Sequence, residues 1–393
     1  MTAPLPAAAT HGEDSFSPVD NELPLRWLRR LHVVPAAGLG TIRRAVFFAG
    51  VTWLPIVAWA AVAGRLLDPG GESLLRHYGV HVRCLIAIPL FILAEGVLHD
   101  VVTRTAQLFL KSGVVTPAQQ PVFEQSLREA RRLRDSSLPW VFVAGVTVAL
   151  LLLDRPEAHQ DALSWAQAGD GTLGFGGWWF AYVARPIFIA LLLGWLWRII
   201  LITRWFWRIG RLDLSLVPTH PDRTGGLAFV EKLPGAYALV TFALSAVVAS
   251  GWAHQVAHHD ATLQSFALPA AAFAILWTLC ALPLLVLAPR LLAARARGLP
   301  AYAALVGQQG RLVHRRWILR EPVDDEPILD APEIGPVADA GAMYEAVTRM
   351  RVVPVGKVAI MAILLPLAVP MIALVALRVP LGDLLLKIVK SVL

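Results

Sequence analysis

Charge is what this sequence has least of. Only 16 % of its 393 residues are Asp, Glu, Lys or Arg, while 56 % are hydrophobic and the mean hydropathy is +0.60. Soluble domains carry roughly a quarter charged residues, so much of this surface is expected to face lipid. Cysteine is scarce too: Cys84 and Cys280 are the only two, both in apolar runs, which excludes a disulfide framework. No Gly-x-x-x-x-Gly-Lys, Gly-x-Ser-x-Gly or Cys-x-x-Cys motif occurs and no internal repeat is visible. Nothing in the pattern therefore points to an enzyme. Residues 1–22 lack the apolar core of a signal peptide and read as a disordered tail.

Long apolar runs are what the chain has in plenty. A spanning helix needs roughly 20 mostly apolar residues. Seven stretches qualify: 45–64, 79–98, 136–153, 177–202, 233–253, 266–289 and 358–377. The second carries Arg83 and Glu95, the fourth Arg185 and Arg198, and the other five carry no charge. The expected fold is an all-α polytopic bundle of about seven transmembrane spans with amphipathic cytoplasmic helices. With the N-terminus inside, the predicted cytoplasmic pieces hold 27 Lys and Arg and the outer pieces 7. That asymmetry follows the positive-inside rule and places the C-terminus outside. It also explains the net charge of +7 without nucleic acid. Trp178, Trp179 and Trp252 fall at outer ends and Trp140, Trp205 and Trp207 at inner ends, where an amphipathic belt is expected.

Four regions divide the chain. Residues 1–44 form the tail and a basic interfacial segment suited to anionic lipid. Residues 45–289 hold six spans, with a cytoplasmic helix at 116–135 and a loop at 204–232. In that helix Thr116-Pro117 is expected to cap the first turn. Residues 290–357 form a cytoplasmic piece, basic to Arg320 and acidic from Glu321 onward. Residues 358–393 hold the seventh span and a short outer tail.

Two stretches carry a resemblance. One is 212–227, with His-Pro-Asp-x-x-Gly-Gly-Leu. The other is 326–354, reading Glu-Pro-Ile-Leu-Asp-Ala-Pro-Glu-Ile and then Tyr-Glu-Ala-Val-Thr-Arg-Met-Arg-Val-Val-Pro. Together they resemble a family of uncharacterised bacterial multi-pass inner-membrane proteins. The resemblance implies that location and carries over no catalytic residue.

Three groups of residues are candidates for function. Arg185, Glu95 and Arg83 are ionisable groups inside spans, where charge is expensive and marks a transport path for a small solute or ion. Glu95 has His99 at i+4, which suits proton relay; the plainer alternative is pairing with a nearby arginine. His220, Arg223, Gly225 and Gly226 are placed to make an anion-binding loop from backbone N–H groups. His77 and His81 are four apart, as are His254 and His258. With His259 and Asp260 they are the candidate ligands of a divalent metal, or a pH sensor, at the outer face. Two functions follow as expectations: a transporter or channel, or a non-transporting scaffold or sensor. Partners are the bilayer and its anionic lipid, with oligomers also open.

Overall fold

The computed structural model describes residues 16–35, 38–66, 73–153, 165–167, 172–258, 271–272, 275, 280–323 and 335–378. Among them every regular element is helical, and the only β contact is an isolated bridge between Gln167 and Leu173. In chain order the main helices are α1 (Leu23–Arg30), α2 (Thr41–Val62), α3 (Tyr78–Lys111), α4 (Gln120–Asp135) and α5 (Leu138–Leu153). They continue with α6 (Phe175–Ile209), α7 (Ala238–His258), α8 (Ala288–Val313), α9 (Gly335–Thr348) and α10 (Lys357–Arg378). Five segments are long and apolar enough to cross a membrane: α2, α3, α4 with α5, α6, and 228–252 leading into α7. The sixth expected span, 266–289, lies partly outside the described residues. The seventh, in α10, has a qualifying apolar stretch of Lys357–Ala373 only, shorter than the other five.

The helices associate in pairs. Helix α2 packs on α3, α5 on α6, α7 on both α3 and α10, and α8 on α9. Ala243, Ala246 and Ser250 are buried on α7, and Ser245 Oγ donates to the Leu367 carbonyl of α10 at 2.5 Å. Small side chains permit that close approach of two backbones.

Two of the spanning helices contain one-turn π segments, Val82–Ala87 in α3 and Phe180–Ala184 in α6. Each runs directly into a proline, Pro89 or Pro186, at the second residue of regular helix. Proline has no N–H for the carbonyl four residues back, and its ring crowds that carbonyl; a widened turn relieves both. The two π turns share a small core of Cys84, Ala184, Phe180 and Trp165 at one end of the bundle.

The opposite end is the basic end, and its core is larger. Phe109 is ringed by Phe123, Trp205, Phe206 and Phe229 at 4.9–6.3 Å between centroids. Trp205 is therefore fully buried, not in an interfacial belt as its position in the sequence suggests. Helix α4 contributes Phe123, Leu127 and Ala130 to this core. It starts at Gln120, one turn later than expected, with Pro121 in its first turn; Thr116 accepts backbone bonds through its carbonyl, and its side chain caps nothing.

The N-terminal segment is the largest departure from expectation. Phe16 and Val19 are buried, with Phe16 stacked 5.1 Å from Trp205. Thr103 Oγ1 donates to the Phe16 carbonyl, Arg134 Nη1 to that of Ser17, and Arg26 to that of Asp135. Residues 16–30 are thus a strap across the basic end. Composition hid this, because three buried side chains (Phe16, Val19 and Leu25) are too few to show as a hydrophobic period. Each contributes roughly 1.5–3 kcal/mol when removed from water.

Candidate functional site

The strap ends in a buried ion network. Glu22 sits at the N-cap of α1 but its carboxylate reaches Arg198 instead of its own helix. Arg198 Nη2 lies 2.6 Å from Glu22 Oε2 and 2.8 Å from Glu95 Oε1. Glu95 Oε2 lies 2.5 Å from Arg44 Nη1. All four side chains are at least 95 % buried. They come from the strap, α2, α3 and α6, so one network pins four separate stretches of chain. Two cations and two anions cancel, which is the condition for keeping four ionised groups away from water.

Burial pushes the Glu22 carboxyl up to about 7, against the attraction of Arg198. The network is also incompletely hydrogen-bonded. Among the described residues, Arg44 Nε and Arg198 Nη1 are buried without an acceptor. Glu95 Oε1 makes a close ion contact with Arg198 but no aligned hydrogen bond.

A cleft of about 330 Å³ lies beside the network. Its walls are Leu23, Trp27 and Leu28 of the strap helix, Phe48 of α2, Trp140, Val143 and Ala144 of α5, and Ile187, Ala190 and Leu191 of α6. Gly194 forms part of the floor. A Cβ there would sit 3.0 Å from Cη2 of Trp140, so a larger residue would push that indole back. The Trp140 Nε1 is buried and has no acceptor.

The sequence candidates fall into three places. Glu95 joins the network and has arginine partners. His99 points elsewhere, its Nδ1 2.6 Å from Ser17 Oγ. Arg44, Arg198 and Glu22 were not singled out as a set. The only signal in the sequence was formal: two charges of each sign at spans and their edges, in stretches that topology alone brings together. Arg44 was read as facing lipid and is instead buried against Glu95.

Arg185 and Arg83 lie at the other end, near enough to each other for their charges to interact. Arg83 stands 5.9 Å over the Phe180 ring. Neither lines the cleft that Glu95 lines, so the expected set of three intramembrane charges is split between the two ends.

The loop holds an anion, but the anion is its own. Asp222 accepts from the backbone N–H of Thr224 at 2.8 Å, Gly226 at 3.2 Å and Ala228 at 3.0 Å. Burial raises the Asp222 carboxyl, but these three donors outweigh it and hold the carboxyl below the ordinary value. The pocket expected of Gly225 and Gly226 is therefore filled from within. Both glycines and Arg223 take positive φ to form it. His220 Nδ1 lies 2.9 Å from Asp222 Oδ1. Arg351 then clamps the loop: its N–H donates to the Arg223 carbonyl at 2.7 Å, and its guanidinium reaches the Asp222 carbonyl and Glu231. The two stretches that carry the family resemblance thus meet, 129 residues apart in sequence.

His81 accepts from Trp53 Nε1 at 3.0 Å through Nδ1 and places Nε2 3.0 Å from the Leu74 carbonyl. Both ring nitrogens are used, which leaves none for a metal. His77 is buried and tilted against Trp165. His259 and Asp260 lie outside the described residues, as do the side chains of His254 and His258. Among the described residues no three His, Cys, Asp or Glu side chains gather in a metal-binding group.

These features define an α-helical multi-span membrane protein with an internally neutral charge network at one end. No family model matches the chain, and neither a curated protein nor a solved structure does.

Proposed function

We propose that this chain is a bacterial inner-membrane protein, N-terminus in the cytoplasm and C-terminus in the periplasm, acting as a non-transporting scaffold or sensor. Its working face is the basic end, where strap, α4 and the clamped loop form one layer. The observation that carries this reading is the fate of Glu95. A transport path needs intramembrane charge that can meet solute, and this carboxylate is neutralised by Arg44 and Arg198 in a network that fastens the strap. The orientation is supported by the 27 to 7 split of Lys and Arg. A metal input at the outer histidines is not part of the proposal, because His81 has no free ring nitrogen.

One observation favours the second reading, a transporter or channel for a small anion. Arg83 and Arg185 stand together beside two proline-linked π turns, and broken helices line many transport sites. Reconstitution into liposomes with a panel of ions and small solutes separates the two. The scaffold reading expects flux equal to that of empty liposomes. Flux above that level, abolished by Arg185→Ala, would overturn it in favour of the second.

A further inference from the structure

The cleft beside the ion network has the shape and chemistry of a lipid site. Its exposed lining is almost wholly apolar, and the four charged side chains that also line it are each at least 95 % buried. Its walls include α2 and α5, two helices that also carry exposed apolar side chains: Phe47 and Leu54 on α2, Val141 and Phe142 on α5. Acyl chains lying against those exposed faces border the cleft, and Arg44 Nε, Arg198 Nη1 and Trp140 Nε1 in its lining have no acceptor from the protein among the described residues. At its mouth stands the strap helix. Trp27 lines the cleft yet is 55 % exposed, and the Arg30 guanidinium lies 5.4 Å over its ring. Indole and guanidinium together are the side chains that seat at a headgroup layer, the first by its amphipathic ring and the second by pairing with phosphate. Arg30 is exposed and makes no ion pair among the described residues, whereas Arg29 beside it is paired with Asp20.

We propose that the cleft holds one acyl chain of an anionic phospholipid from the leaflet at the basic end, with its phosphate on Arg30 against Trp27. The lipid is then a structural wedge: it fills the gap between the α2–α3 and α5–α6 pairs and packs on the strap from above. This site rests on α2, α5 and α6 spanning a bilayer. It stands whether or not any solute crosses, so liposome flux does not bear on it.

The test uses the full chain in nanodiscs of mixed phosphatidylglycerol and phosphatidylcholine, with a trace of phosphatidylglycerol bearing a diazirine on its acyl chain. Photolysis of the wild type should label peptides containing Val143, Ala144 or Ala190 in preference to the outward faces of α2 and α5. Excess unlabelled phosphatidylglycerol should compete roughly tenfold better than phosphatidylcholine, a difference of about 1.4 kcal/mol. Ala144→Trp fills the cleft from an exposed position and should lower labelling there roughly tenfold with an unchanged unfolding temperature. Arg30→Gln should keep the acyl label and lose the headgroup preference. Labelling spread evenly over all lipid-facing helices, or equal in Ala144→Trp and wild type, would mean an adventitious lipid annulus only and overturn the site. If Ala144→Trp fails to fold, the wild-type label map decides alone.

Discussion

Replacing Glu95 by Gln changes one atom and removes one charge from a fully buried side chain. Arg44 and Arg198 would then share only Glu22, leaving a net positive charge among side chains that are at least 95 % buried. Two unit charges 4 Å apart attract by about 4 kcal/mol at an effective dielectric near 20. Breaking a buried pair by deleting one partner costs about 3–5 kcal/mol, because the other charge is stranded. At roughly 2 °C per kcal/mol for a chain of this size, Glu95→Gln should lower the unfolding midpoint by roughly 6–10 °C. Cys84 and Cys280 are free and buried, so a thiol-reactive dye reports unfolding in detergent directly. The charge-balanced double variant Arg44→Gln/Glu95→Gln is the decisive arm. It restores neutrality and should recover at least half of the loss, giving a large coupling in the double-mutant cycle. A double variant that falls by the sum of the two singles would refute the argument: Glu95 would then matter for its packing and not for its charge.

Glu22 gives the network a pH dependence of predictable sign. Its carboxyl is raised from 4.5 to about 7 by burial, so the docked strap holds a proton that the free strap releases. Docking is therefore strongest below pH 4.5, weakens as pH rises to about 7, and is flat above that, with a full span of about 3 kcal/mol. Hydrogen exchange of the Leu23–Arg30 amides, corrected for intrinsic rates, should accelerate over that window in the wild type and not in Glu22→Gln. Equal pH profiles would count against a docked, titrating Glu22. In the loop, Asp222→Ala strands the three N–H groups of Thr224, Gly226 and Ala228 and should destabilise by about 2–4 kcal/mol. Because the Asp222 carboxyl is held low, its contribution is present at neutral pH and is lost as pH falls below its ordinary value of 3.8. A midpoint for Asp222→Ala that matches wild type at neutral pH would show that the loop is held by Arg351 alone.

The spans were legible because their signal is local: a run of apolar residues declares itself without reference to the rest of the chain. Helices α2, α3, α5 and α6 lie within a few residues of where the runs put them at their apolar ends, and α2, α3 and α6 overrun at the basic end. They reach Thr41, Lys111 and Ile209 because a helix continues past its apolar run while its backbone bonds are kept, and hydropathy does not mark that end. The ion network was not legible, since its members lie as far as 176 residues apart and only the fold brings them together. Glu95 looked like one half of a relay with His99 because i+4 neighbours are the only partners that a single sequence shows. The glycine loop was half legible. The turn and its positive φ were foreseeable from Gly225-Gly226, but the ligand of the nest, Asp222, stood three residues before them inside the same motif.

The distribution of charge along the chain also constrains how the protein assembles. Glu22 leaves the translation machinery first and Arg198 long after, yet each is the other's closest counter-ion. Until α6 is in place Glu22 lacks its counter-ion and Phe16 lacks Trp205, and Glu95 has only Arg44. Conversely, Arg198 enters the bilayer region facing Glu95 alone, one cation against one already paired anion, which is unfavourable in a poorly hydrated interior. Closure of the strap brings the Glu22 carboxyl onto Arg198 and adds the apolar cover of Phe16, Val19 and Leu25 in one step. The basic end therefore becomes neutral and closed only once all four stretches are correctly threaded. A misinserted α6 would leave Glu22 without Arg198 and Phe16 without Trp205, which makes complete strap docking the structural signature of a finished bundle.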